Sequence, residues 1–248
     1  VARGLQLFGS GGVEDNQFER SAGREAPDGA FWEAGFHWSP GRRTSVEAAL
    51  GERYYGETKR AELTHETRHT NWSLSYREEL TTLTQLQTER QVFMVTDESG
   101  QPVLDADQEP ILVSLEFPAL TTEVYLRERY SASVTARTAK STVSLSGFNE
   151  RRTFQTSDQI EQVKGGRVNW RWDFGSRTRS DIGFNFLRRS FPASAREDDL
   201  WFAHARLHRD IRRNIEGSLG YERVERDASG GGTDYRQNIV SLRARARF

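Results

Sequence analysis

The sequence predicts an all-β fold: an antiparallel transmembrane β-barrel of the outer-membrane type, with about twelve strands in this chain. The first observation behind this is strict alternation. From Arg167 to Phe174, one parity reads Val168, Trp170, Trp172, Phe174 and the other Arg167, Asn169, Arg171, Asp173. Successive strand side chains point to opposite faces, so one face is apolar and the other polar. A helix would mix the two sets around its circumference. The second observation is what the two faces carry. The apolar faces are rich in Trp, Tyr and Phe near strand ends, as in an interfacial girdle, and the polar faces are dense in Arg, Glu and Asn, as in a wet lumen.

The same grammar recurs along the chain. Near the start, Trp32, Ala34, Phe36 and Trp38 oppose Glu33, Gly35 and His37, and Trp72, Leu74 and Tyr76 oppose Ser73, Ser75 and Arg77. Further on, Trp201, Ala203, Ala205 and Leu207 alternate with Phe202, His204, Arg206 and His208. Ile215, Gly217, Leu219 and Tyr221 alternate with Glu216, Ser218, Gly220 and Glu222. The final strand sets Val240, Leu242, Ala244, Ala246 and Phe248 against Ser241, Arg243, Arg245 and Arg247.

Strands are expected at residues 4–12, 29–38, 43–54, 59–67, 71–82, 121–136, 140–152, 161–174, 179–190, 198–209, 213–226 and 234–248, in a single barrel domain over 1–248. Short connections such as Ser39–Arg42, His69–Thr70 and Gly175–Arg177 alternate with longer ones, of which 83–120 is the longest. Tyr55–Arg60 is brief where a long connection is due. Short periplasmic turns and longer outer loops are the habit of such barrels. The parity then places the carboxy terminus in the periplasm of a Gram-negative cell and loop 83–120 outside. Within that loop, residues 92–96 and 102–104 flank Asp97–Gly100 as a possible hairpin.

Composition narrows the function. Thirty-five basic and 36 acidic residues give a net charge of −1, which argues against general nucleic-acid affinity. There is no Cys, so neither a disulfide framework nor a thiolate metal site is possible. Mean hydropathy is −0.76, and no run approaches the roughly 20 apolar residues of a spanning helix. A barrel escapes that limit because only alternate residues meet lipid. The chain opens at Val1 without a basic n-region or an apolar h-region. The expectation is a removed signal peptide or further sequence upstream.

Candidate chemistry is sparse. His65-Glu66-Thr67-Arg68-His69 matches H-E-x-x-H, but alternating residues precede it and a strand follows, so it straddles a strand end and a turn rather than a helix. His204 and His208 share a face but stand roughly 13 Å apart on an extended strand. Asp97, Glu98, Asp105 and Asp107 read as a solvated acidic loop, with calcium as the alternative. Gly9-Ser-Gly-Gly12 lacks the Lys of a phosphate loop and reads as a strand-end or bulge feature. No nucleophile, base and orienting group can be picked out. No cofactor, metal ligand or catalytic residue is assigned.

Three stretches resemble the outer-membrane β-barrel family associated with the PEP-CTERM/exosortase system of exopolysaccharide-producing bacteria. Gly12-Val-Glu-Asp-Asn16 resembles its early Gly-x-Glu-x-Asn element. Phe31-Trp-Glu-Ala-Gly-Phe-His-Trp-Ser-Pro40, with Arg43-Thr44 and Gly51-Glu-Arg-Tyr-Tyr-Gly56, resembles its best-marked block. Asp234-Tyr-Arg-Gln-Asn238 with Ser241-Leu242 and Phe248 resembles its last strand. Members of that family are longer, so the resemblance implies the carboxy-terminal part of a larger barrel. It also implies a setting in exopolysaccharide secretion or export, with polysaccharide and other secretion components as partners.

The expected function is a non-enzymatic outer-membrane barrel serving exopolysaccharide secretion as conduit or assembly component. A general diffusion porin is the alternative, and an outer-membrane enzyme the second alternative. The lumen-lining set is Arg167, Asn169, Arg171, Asp173, Glu216, Glu222, Arg243, Arg245 and Arg247. The lipid-facing set is Trp32, Trp38, Trp72, Trp170, Trp172, Leu219 and Leu242, with outer-membrane lipid as partner. Phe248 is the expected signal for the barrel-insertion machinery.

Overall fold

The computed structural model describes residues 4–14, 29–82, 93–94, 112–113, 124–155, 157–194, 196–212, 214–229 and 234–246. Within them the strands are β1 (Leu5–Glu14), β2 (Gly29–Gly41), β3 (Thr44–Arg53), β4 (Gly56–Glu66), β5 (Thr70–Thr82), β6 (Phe93–Met94), β7 (Leu112–Val113), β8 (Val124–Arg137), β9 (Ser141–Phe154), β10 (Ile160–Gly175), β11 (Thr178–Phe191), β12 (Arg196–Arg212), β13 (Ile215–Ala228) and β14 (Tyr235–Ala246). Twelve of them form one sheet in the order β1-β2-β3-β4-β5-β8-β9-β10-β11-β12-β13-β14. All its pairings are antiparallel and, β5–β8 apart, between strands consecutive in the chain.

The fold is all-β, an antiparallel meander of the outer-membrane barrel type. β1 and β14 are the two ends of the strand order. The expected strands all appear, with ends shifted by a few residues. The early connection after β3 tightens to a turn at Tyr54-Tyr55, with Gly56 at φ +120° opening β4. Two-residue β6 and β7 pair with each other, Phe93 with Val113 and Met94 with Leu112. The other residues of the expected hairpin, and the four acidic loop residues, lie outside the described set.

Local chemistry explains the short turns. Thr67 Oγ1 accepts hydrogen bonds from the amides of His69 (3.2 Å) and Thr70 (2.9 Å). Thr138 Oγ1 does the same for Lys140 (3.4 Å) and Ser141 (3.0 Å). A threonine side chain thus stands in for a backbone acceptor in each turn. Register shifts between Trp38 and Gly41, Asp173 and Gly175, and Asp210 and Arg212 fall beside the other short turns. Bulges are favoured at barrel rims for this reason. Gly9–Gly12 is different from expectation: it lies in a regularly paired part of β1. At Gly12 the Phe31 ring would lie 2.8 Å from a Cβ and takes the space a side chain would fill.

Registers accumulate a stagger. Residues paired in a row run Leu5, Trp38, Val46, Leu63, Leu74, Ala132, Gly147, Gly166, Phe186, Trp201, Glu225, Arg236. The row starts at the first residue of β1 and ends ten residues before Ala246, the last of β14. Such shear is what tilts strands in a barrel wall. The sheet also curls. Arg53 on β3 pairs with Glu14 on β1, and Arg60 on β4 pairs with Glu33 on β2 at 3.0 Å. Arg60 also caps the Phe8 ring of β1 at 5.3 Å. Side chains reaching across one and two intervening strands mark this face as the concave one.

Candidate functional site: the concave face

The register assigns every strand residue to a face. Arg127, Arg129, Glu150, Arg152, Glu161, Arg189 and Asp198 are partners along connected rows on the concave face. The intervening residues form the convex face, where Leu7, Trp32, Phe36, Leu50, Trp72, Leu145, Val168, Trp170, Phe184, Leu219 and Leu242 are exposed. Large apolar side chains on a convex face have only solvent or lipid to meet.

On that face the apolar residues make a band beside the short turns. In β8–β13 it stops at Tyr130, Gly147, Gly166, Phe186, Trp201 and Tyr221, and the next outward positions are Glu128, Asn149, Lys164, Arg188, Asp199 and Arg223. The indole N–H groups anchor at its margins. Trp72 Nε1 donates to Thr70 Oγ1 at 3.0 Å and Trp170 Nε1 to Ser141 Oγ at 2.8 Å, both at the short-turn edge. Trp32 Nε1 donates to Glu52 at 3.2 Å at the opposite edge. An amphipathic ring with its apolar body in the band and its donor at the edge is how Trp behaves at a membrane interface. A tilted spanning strand needs about 9–11 residues. β8–β13 have 14 to 17 residues each, so their far ends rise above the band.

The concave face has two tiers. In the lower tier, Arg167 Nε donates to Asn185 Oδ1 at 2.6 Å and Asn169 Nδ2 to Asp181 Oδ2 at 3.4 Å. His204 Nε2 meets the other Asp181 oxygen at 2.7 Å. Arg171 lies opposite Asp181, and Asp173 opposite Arg179. Glu216 lies opposite Arg245, and Ser218 opposite Arg243. Glu222, on the same polar parity of β13 as Glu216, accepts a hydrogen bond from Arg206 of β12 at 3.1 Å rather than from an arginine of β14. Its β14 neighbour is Ile239. All these residues of the lumen-lining set share the concave face, and the seven lipid-facing residues share the other. Arg247 and Phe248 lie outside the described residues.

The upper tier was not singled out from sequence. Glu150 is 1% exposed and receives Arg127 Nε at 2.9 Å, Arg129 Nη1 at 2.7 Å and Arg152 Nε. Arg127 also reaches Glu79 at 2.8 Å, and Arg152 reaches Glu161 at 3.3 Å. Arg189 holds Glu161 at 2.6 Å. Asp198, also 1% exposed, pairs with Arg196 at 2.7 Å and Arg226 at 3.6 Å. Each buried carboxylate therefore has two or three guanidinium partners, the condition for burying a charge at acceptable cost. Two apolar clusters flank the belt: Tyr125 with Phe154, and Val163, Leu187 and Leu200 with Phe148 and Val224 packed on them.

The remaining sequence candidates separate. His65 of H-E-x-x-H lies on the convex face, its Nδ1 bonded to Thr44 Oγ1 at 2.9 Å, while Glu66 shares the concave face and His69 sits in the turn. His204 and His208 share the concave face. Among the described residues, no group of three or more His, Asp or Glu is placed to hold a metal ion.

These features define a barrel wall with an apolar exterior and a charged, neutralised interior. Its general shape is similar to that of OmpT (in-vitro folded), an outer membrane protein of Vibrio cholerae, at 6% identity and a TM-score of 0.41 over 98% of this chain and 95% of that one. Outer-membrane expressed OmpT of Vibrio cholerae aligns at 8% identity and a TM-score of 0.47, over 96% of this chain and 77% of that chain. Nothing about activity follows from likenesses this distant. No protein-family model matches the sequence, and no curated protein matches at a significant level.

Proposed function

We propose that this protein is a non-enzymatic barrel of the Gram-negative outer membrane that serves exopolysaccharide secretion, as a conduit or an assembly component. The observation that carries this reading is the lower concave tier. Arg167 with Asn185, Asn169 and His204 with Asp181, and Arg206 with Glu222 are paired through hydrogen bonds, so the wall is polar and hydrogen-bonding without a strong field of either sign. A sugar polymer needs hydroxyl partners along its path and few apolar contacts that would trap it. The motif resemblance to the exopolysaccharide-associated family supports the same setting. The alternation of short turns and long connections supports an outer position for the 83–120 end and a periplasmic carboxy terminus.

Deleting the gene in its host tests this. The expected result is loss of surface polymer with small-solute uptake unchanged. Reduced uptake with normal polymer would make the protein a diffusion porin. Loss of a hydrolytic activity on a single concave-face substitution would make it an enzyme.

A further inference from the structure

The convex face has a feature that a uniform lipid-facing wall does not need. An apolar groove of about 500 Å³ crosses β3, β4, β5, β8 and β9. Its outward-facing lining sets the small residues Ala48, Ala61, Ala132 and Gly147 among Val46, Leu63 and Leu74 and the Tyr76–Tyr130 pair, whose ring centroids are 4.3 Å apart. Gly147 pairs with Gly166 of β10, so the low floor continues one strand further. Because the registers are staggered, the row Gly166, Gly147, Ala132, Leu74, Leu63, Val46 descends through the band from β10 toward the short-turn end of β3, with Ala61 and Ala48 on the row beside it.

At the upper end of the row, immediately above Gly166, stands Lys164. It is exposed and directly opposite Arg188. Arg151, whose register partner is Gln162, is diagonal to it on β9 and 53% exposed. Directly opposed like charges destabilise a strand pair unless an anion joins them. Arg188 is fixed by two hydrogen bonds to Asp199, at 2.7 and 2.6 Å, and Arg151 approaches Glu128 at 3.7 Å. Lys164 has no ion-pair partner among the described residues.

We propose that this is a binding site for a single phosphorylated lipid, with one acyl chain in the groove and a phosphate on Lys164, Arg188 and Arg151. Ammonium and guanidinium donors converging from three adjacent strands suit phosphate oxygens. Lys164 and Arg188 stand one outward position above the apolar band and Arg151 two, the level of a headgroup. The tilted groove leads from them down into the band, as an acyl chain must run. The site rests on reading that band as lipid-facing, and it does not depend on what passes the lumen.

The test is native mass spectrometry of the full chain released from detergent, with lipid A and its dephosphorylated counterpart as probes. The wild type should retain lipid A and lose the dephosphorylated form. Lys164→Gln with Arg188→Gln should lower retention by roughly tenfold, through loss of charge-assisted contacts. Gly147→Leu should lower it independently by filling the groove. A Cβ at Gly147 meets only Gly165 O at 3.5 Å, an ordinary contact, so the backbone has room for the substitution. Lys59→Gln, an exposed cation of the same face on β4 that lies opposite Leu50, should change nothing. Equal retention by wild type and both site variants would overturn the proposal, as would equal retention of the dephosphorylated lipid. If inorganic phosphate alone displaces the lipid from the site, it is an ion site rather than a lipid site. Heat-modifiable electrophoretic mobility confirms that each variant is folded. Conductance and polymer secretion report separately on the lumen.

Discussion

Arg127 links two carboxylates on neighbouring strands, donating from Nε to Glu150 at 2.9 Å and from Nη1 to Glu79 at 2.8 Å. Glu150 in turn gathers Arg129 and Arg152. A chain of alternating charges thus crosses β5, β8, β9, β10 and β11. Removing the hub leaves Arg129 without its carboxylate, while Arg127 keeps only Glu79 and Arg152 only Glu161. Glu150→Ala should cost about 3–5 kcal/mol of stability, measured by urea unfolding in detergent. A loss below about 1 kcal/mol would show that the belt is wet and weakly coupled.

The band assigns depths to tryptophans. Trp38, Trp72, Trp170 and Trp172 lie toward the short turns, and Trp32 lies at the far edge. In single-Trp variants reconstituted with brominated lipids, all five should be quenched. Bromines near the bilayer surface, confined to the leaflet at the long-connection side, should quench Trp32 more than Trp72. Unquenched emission from all five would sink the membrane reading.

Phe248 provides an assembly test. Its deletion should reduce outer-membrane yield more than Phe184→Ala, which removes an exposed convex-face ring. Phe148 is a poor control, because its ring lies 2.4 Å from where a Gly165 Cβ would stand and Arg129 stacks on it at 4.0 Å. Equal yields would remove the signal role from Phe248.

On the lumen side, Arg243 and Arg245 occupy the concave face of β14 opposite Ser218 and Glu216. Arg243→Glu with Arg245→Glu should shift single-channel selectivity of an open pore toward cations. An unchanged preference would mean that these arginines do not line the path. Absence of conductance in both forms would favour a closed scaffold.

Faces were legible in the sequence because a period of two needs no knowledge of neighbours. The alternation in 167–174 and 240–246 assigns each side chain to one of two sides wherever the strand sits. Register was not legible, since it depends on how turns and bulges such as Trp38/Gly41 offset one strand against the next. Glu222 illustrates the cost: parity put it on the right face, but only the register gives it Arg206 rather than a β14 arginine. The carboxylate belt was missed for another reason. Asn149-Glu150-Arg151-Arg152 falls inside the expected strand 140–152 but is polar on both parities, so alternation gives no sign that one of its carboxylates is buried. Only the register brings Arg127, Arg129 and Arg152 onto Glu150.

The unequal strand lengths shape the rim. β3 and β4 have 10 and 11 residues, while β12 reaches 17, so the mouth is cut obliquely, with a tall collar along β8–β13 and a low lip along β3–β4. The collar has no bilayer to brace it, and its cross-strand ties are carboxylates shielded from solvent. Counter-ions screen exposed pairs far more than buried ones. The collar should therefore hold its form in fresh water and in brine alike, its height on one side fixed by ion pairs that dissolved salt does not reach.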